Sequence, residues 1–253
     1  MNSTFLKYNN PLITLMVLED TPENAIKVIN KGLENGADAF GIQLECIKRE
    51  YRNLDDLKRI FAACNGKPIY ITSYRNREST GYSDDECMDY LILGCKAGAT
   101  LCDIMADMFD PQPNEITFDE NAINKQKVIA DKIHYLGGEV LFSTHTHKYF
   151  NTDEIIKIAL AQKERGADVV KIVSVAENEE ELKISFNNIE ELKNTLCDTP
   201  FLYLVNGKMH KAIRENGCDK GVCMYLCVNE YKTGYSYEQP LISRINEIKK
   251  ATK

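Results

Sequence analysis

Short apolar runs recur along the chain, separated by longer stretches in which apolar positions return every three or four residues. Apolar runs framed by Gly and Pro read as buried strands, and stretches with the helical period read as helices. On that basis strands are predicted over 12–18 (LITLMVL), 37–45, 68–74, 99–106, 139–145, 167–175, 200–205 and 221–228. Helices are predicted over 22–34, 54–64, 84–97, 119–136, 153–165, 177–196, 207–216 and 239–251. Asp20 and Thr21 stand as caps for the first helix, Ser83 for the third and Thr152 for the fifth, while Gly36, Gly98 and Gly137–Gly138 stand as stops. Asp84, Asp85 and Glu86 after Ser83 suit the positive end of a helix dipole. In the fifth helix Ile155, Ile156, Ala159 and Leu160 are expected to form the apolar face.

Strands that are apolar throughout, each followed by a helix, predict a parallel (β/α)8 barrel with outer helices, one domain over residues 1–253. The rival, a doubly wound open sheet, calls for a glycine-rich turn after its first strand, and no glycine follows Leu18 there.

The sixth strand, ADVVKIVSV, holds Lys171 between Val169, Val170, Ile172 and Val173. A lone strand lysine more often snorkels to water from an edge. Here its neighbours leave no polar face for it, and an ammonium inside an apolar strand is costly unless paired or deprotonated. A desolvated lysine amine is the nucleophile that forms Schiff bases with carbonyl compounds. In a barrel, chemistry sits at the carboxyl ends of the strands. Those ends offer Gln43 and Glu45, Arg75, Asp103, His145 and His147, and Arg214 beyond strand seven. His145 is placed to shuttle protons beside the amine. Arg75 and Arg214 could hold a carboxylate through paired N–H donors. His147 and His210 are read as loop histidines, and Arg77 and Lys208 as surface residues. His145 and His147 also form an HxH pair of metal-ligand type, but the chain has four histidines and no convincing further ligands, so no metal is expected.

Composition narrows the class. The net charge of −7 gives no reason to expect nucleic acid or an anionic membrane as a partner. No window approaches the apolar length of a membrane span, and MNSTFLKYNNP lacks the apolar core of a secretory leader. The nine cysteines are scattered, with no CxxC pair, as befits small apolar residues in a reducing cytoplasm.

Several segments together resemble the type I 3-dehydroquinate dehydratases. GADAFGIQLE resembles that family's second strand, PIYITSYRNRESTG its third, and LFSTHTHKYFNTDEI the segment with its catalytic histidine. GADVVKIV is similar to the segment with its lysine, FLYLVNGKMHKAIREN to that with its carboxylate-binding arginine, and GYSYEQPLI to its substrate-covering loop. The resemblance implies a (β/α)8 barrel and a hydro-lyase that needs no cofactor. It implies an imine on Lys171, His145 as general acid and base, and Arg214, Arg75, Gln239, Gln43 and Tyr235 around a small-molecule carboxylate substrate. It further implies a place in the shikimate pathway and aromatic amino acid biosynthesis, and is compatible with a homodimer. The chain departs from the family on strand two, where Gly41 and Gln43 replace a glutamate and an arginine, and in the covering loop, where Tyr235 replaces a serine. The family's glutamate after the strand-three arginine has a near match in Glu78, one place out of register. Those departures keep two alternatives open: a paralogue or class I aldolase-like enzyme acting on another hydroxy-ketone acid, and a non-catalytic metabolite-binding barrel.

Overall fold

The computed structural model describes residues 4–7, 11–232 and 237–251. Strands and helices alternate through it: β1 (Leu12–Val17), α1 (Pro22–Glu34), β2 (Ala39–Gln43), α2 (Leu54–Ala62), β3 (Ile69–Thr72), α3 (Asp84–Ala97), β4 (Leu101–Met105) and α4 (Glu120–Tyr135). They continue with β5 (Glu139–His145), α5 (Thr152–Glu164), β6 (Val169–Val175), α6 (Glu179–Leu196), β7 (Phe201–Asn206), α7 (His210–Lys220), β8 (Met224–Cys227) and α8 (Ile242–Ala251). The strands follow the order β7-β6-β5-β4-β3-β2-β1-β8 in one sheet. This is the (β/α)8 barrel architecture expected from the sequence.

Residues 1–103, 132–139 and 226–253 group into one compact unit, and residues 104–131 and 140–225 into another. In the first, β1 is buried along its whole length, so its sequence, apolar but for Thr14, faces protein on both sides. The β1–β2–β3 register sets Met16 beside Gly41 and Gly41 beside Tyr70. Thr21 alone caps α1, its hydroxyl accepting the Asn24 N–H at 3.3 Å. Asp20, expected to share the cap, instead accepts from the Asn24 side chain and pairs with Lys48 at 2.8 Å. At α3, Ser83 and Glu86 form the reciprocal capping box.

In the second unit β5, β6 and β7 run parallel and α5, α6 and α7 pack in sequence. Three expectations are corrected there. The cap of α5 is Asn151, boxed with Glu154, because its amide oxygen reaches the Glu154 N–H at 3.0 Å; Thr152 enters the helix, and its hydroxyl donates to Asn188. The buried stripe of α5 is Ile155, Ile158, Ala159 and Gln162, with Ile156 at its margin and Leu160 exposed, since a helical stripe returns every third or fourth residue whether or not the residue is apolar. Helix α7 begins at His210, not at 207. Gly207 sits at φ +86, and a Cβ there would lie 2.5 Å from the Glu177 carboxylate and 2.8 Å from the Ala176 carbonyl oxygen. No helix among the described residues is long and apolar enough to cross a membrane.

Candidate active site

Lys171 lies near the middle of β6 and is 4% exposed, as its apolar flanks required. In register it stands beside Ser143 of β5 and Leu202 of β7. Side chains alternate across a strand, so Lys171, Val173, Ser143 and His145 share one face. His145 is beside Val173, two places further along. A neighbouring strand two residues on puts its Cα about 8 Å away, a gap that a lysine and an imidazole close between them.

The His145 ring is held by a residue that the sequence reading overlooked. Nδ1 of His145 lies 2.6 Å from the Glu115 carboxylate, in the loop between β4 and α4. With Nδ1–H donating to Glu115, the Nε2 lone pair is left to act as base, and a positive charge formed on the ring meets a carboxylate. Burial pushes the Glu115 carboxyl up. The hydrogen bond to His145 and the charges of His145, Lys171 and His147 outweigh it and hold the carboxyl below its ordinary value. Lys171, His145 and Glu115 are thus electrostatically one group. Glu115 stands alone between Asn114 and Ile116 in a proline-rich loop, so only its place at the carboxyl ends of the strands could have marked it.

Arg214, in the first turns of α7, is buried. Its Nε donates to the Val205 carbonyl at 3.1 Å and one terminal nitrogen to the Asn206 side chain at 2.7 Å. Both partners lie at the end of β7, so the guanidinium is fixed by its edge. A planar fork held this way suits a carboxylate. His147, Arg77 and Lys208 are exposed as expected, with Lys208 3.8 Å from Glu177. His210 is partly buried instead, with Nδ1 2.8 Å from the Gly207 carbonyl oxygen at the start of α7.

The remaining sequence candidates belong to the other unit. Arg75 is paired with Asp84 at 2.5 Å, and Gln43 accepts from the Cys46 thiol at 3.4 Å. Gln239 carries a buried Oε1 with no hydrogen-bond partner among the described residues. Tyr235 lies outside the described residues. At Gly41 a Cβ would stand 2.3 Å from the Met16 sulfur, so Met16 fills the space a side chain would need.

That unit also buries the carboxylates of Asp103 and Glu45. Asp103 accepts from the Tyr70 and Tyr74 hydroxyls, the latter at 2.6 Å. Glu45, 1% exposed, accepts from the Thr72 hydroxyl at 2.9 Å. Burial pushes the Glu45 carboxyl up to about 7, against the bonds it accepts and with a further push from Asp103. A carboxyl raised on folding contributes stability that is fully present below its unfolded value and is lost as pH rises through the folded one. The 2.5 units between 4.5 and about 7, at 1.36 kcal/mol each, make this about 3 kcal/mol. Glu45→Gln mimics the protonated form. Urea unfolding from pH 4.5 to 7.5 is expected to show the native protein losing this stability and the variant keeping it; parallel curves for the two would exclude the effect.

The sequence matches the family model of type I 3-dehydroquinase over residues 13–214. No curated protein matches it. Among solved structures, the 3-dehydroquinate dehydratase from Geobacillus kaustophilus HTA426 aligns with a TM-score of 0.83 at 12% identity, covering 99% of this chain and 98% of that one. The type I 3-dehydroquinate dehydratase from Clostridium difficile with covalently modified comenic acid gives 0.82 at 16% identity, covering 98% and 94%. The 3-dehydroquinate dehydratase from Enterococcus faecalis gives 0.78 at 14%, covering 99% of each chain. At such identities these likenesses establish the fold.

Proposed function

Because the chain belongs to the type I 3-dehydroquinase family, we propose that it dehydrates 3-dehydroquinate through an imine on Lys171, with His145 as general acid and base. The protein is a hydro-lyase of that family, and its reaction lies in the shikimate pathway. The observation that carries the residue assignment is the buried Lys171 amine on the same strand face as His145, itself held at Nδ1 by Glu115.

The amine of Lys171 adds to the ring ketone, and loss of water gives the imine. Protonated, the imine draws electrons from the adjacent carbon, so that carbon's proton becomes acidic enough for Nε2 of His145 to remove. The enamine electrons then return and expel the β-hydroxyl. His145 gives its proton to that leaving oxygen, which departs as water. A second water hydrolyses the imine, frees the enone product and restores the amine. The imine is itself the electron sink, so the scheme calls on no cofactor. Glu115 keeps the ring in the tautomer this sequence requires and balances the imidazolium between the two transfers.

Arg214 holds the substrate carboxylate in this reading. Arg214→Lys keeps the charge and loses the fork. A lost charge-assisted hydrogen bond is worth about 1.5–3 kcal/mol, so KM should rise roughly ten- to 150-fold with kcat less affected. An unchanged KM would remove Arg214 from the carboxylate site. The cysteines are all free and mostly buried among the described residues, in keeping with a reducing cytoplasm. The substrate assignment is tested by comparing turnover on 3-dehydroquinate with turnover on open-chain hydroxy-ketone acids. The cyclic acid should win by orders of magnitude; a preference for the open-chain acids would overturn the substrate.

A further inference from the structure

Helix α5 and its C-cap present two buried polar side chains three residues apart, Gln162 and Arg165, and the imine chemistry uses neither. Gln162 is fully buried. Its Oε1 accepts the Lys171 N–H at 3.1 Å, and its Nε2 donates to the Lys171 carbonyl at 3.0 Å and to the Thr144 hydroxyl oxygen at 2.9 Å. Thr144, also fully buried, donates that hydroxyl to the backbone carbonyl of Glu115 at 3.1 Å. Hydrogen bonds therefore run unbroken from the backbone of the nucleophile, through Gln162 and Thr144, to the backbone of the carboxylate that holds His145.

Arg165 fastens the same loop at its base. It donates to the carbonyl of Ala106 at 2.6 Å, to the Gln126 side chain at 3.0 Å and to the carbonyl of Thr117. Ala106 and Thr117 are the two feet of the loop, joined by the Thr117 N–H to Ala106 at 3.1 Å. Inside the loop the Gln112 N–H donates to Asp107 at 2.9 Å and the Glu115 N–H to Gln112 at 3.1 Å. Glu115 needs this support, because its φ of +48° lies in the left-handed region that a glutamate adopts only when its surroundings impose it. The bond from Thr144 ends on this strained residue. Arg165 is a buried guanidinium whose hydrogen bonds go to carbonyl and amide oxygens, a costly group to keep for stability alone.

We propose that Gln162, Thr144 and Arg165 are positioning residues of this active site, locking the Glu115 loop to the Lys171 strand so that the Glu115 carboxylate stays on His145. None of the three touches substrate. The kinetic side of the proposal rests on the dehydratase reading, and its structural side does not.

Thr144→Val keeps the shape and removes the hydroxyl, whereas Thr144→Ser keeps the hydroxyl. Turnover of 3-dehydroquinate and hydrogen–deuterium exchange over residues 107–117 are measured for both in the full chain. A small misplacement of a catalytic group can cost up to about 100-fold. The valine variant is therefore expected to lose about tenfold or more in kcat with KM within about twofold, and to exchange faster at 112–117, while the serine variant stays near the native protein in both. Native kcat in the valine variant, or equal losses in the two, would overturn the proposal. If the native protein itself does not turn over 3-dehydroquinate, the substrate reading falls and exchange alone decides: faster in Val but not in Ser supports the lock, and no difference overturns it. Should Thr144→Val not fold, Arg165→Lys, which keeps the charge and removes the planar fork that spans both feet of the loop, is judged by the same criteria against the native protein.

Discussion

Lys171→Ala is expected to leave a folded protein with turnover reduced on the order of 10⁴-fold or more, the scale on which loss of a covalent nucleophile is felt. A barrier increase of that size is about 5.5 kcal/mol. His145 and Glu115, the partners identified beside it, are tied to each other and are no substitute for the amine. The same substitution separates chemistry from stability. Lys171 is 4% exposed in an apolar strand, and replacing a buried charge by a well-packed apolar side chain is often neutral or stabilising. Lys171→Met should therefore unfold at a urea concentration no lower than the native protein, with an unchanged slope, while remaining inactive. Turnover above about 1% of native in either variant would remove the imine from the mechanism.

The second large effect concerns the pair beside it. General acid–base catalysis is worth roughly 10²–10⁴-fold, and His145→Ala should fall in that range. Glu115→Gln keeps a hydrogen-bonding group next to Nδ1 but removes the charge, and should lose a smaller factor of the same kind. The two residues act through one imidazole, so their losses should not add. The double variant is expected to match His145→Ala within about threefold. A double variant that is slower by the product of the two single losses would mean that Glu115 acts on substrate directly, independently of His145.

What the sequence could and could not reveal follows from how far each signal reaches along the chain. Signals such as the apolar run from Leu12 and the Ser83 cap are local; the strand forms over Leu12–Val17 and Ser83 caps α3. Lys171 was legible for the same reason: its anomaly is visible within a few residues of itself. His145 was legible from its place at the carboxyl end of an apolar strand. Glu115 was not, since its meeting with His145 joins positions 30 apart through a loop whose backbone is strained at that residue. Helix α5 shows the limit of reading apolar residues only. The stripe through Ile155, Ile158 and Ala159 continues into Gln162 and Arg165, two residues that a hydrophobic pattern assigns to water and that the fold buries. Asn151 and Thr152 are both good caps, and choosing between them needed the Glu154 partner three residues on from Asn151. Arg75 was sought as a carboxylate holder, and its bond to Asp84 gives it a fixed position that spacing alone did not suggest.

The most direct test of the central claim is to trap the imine. The protein is mixed with 3-dehydroquinate, reduced with borohydride and digested, and the peptides are weighed. The account predicts a single stable adduct on Lys171, absent from Lys171→Ala. Unmodified Lys171 in a folded protein that still turns over 3-dehydroquinate would contradict it.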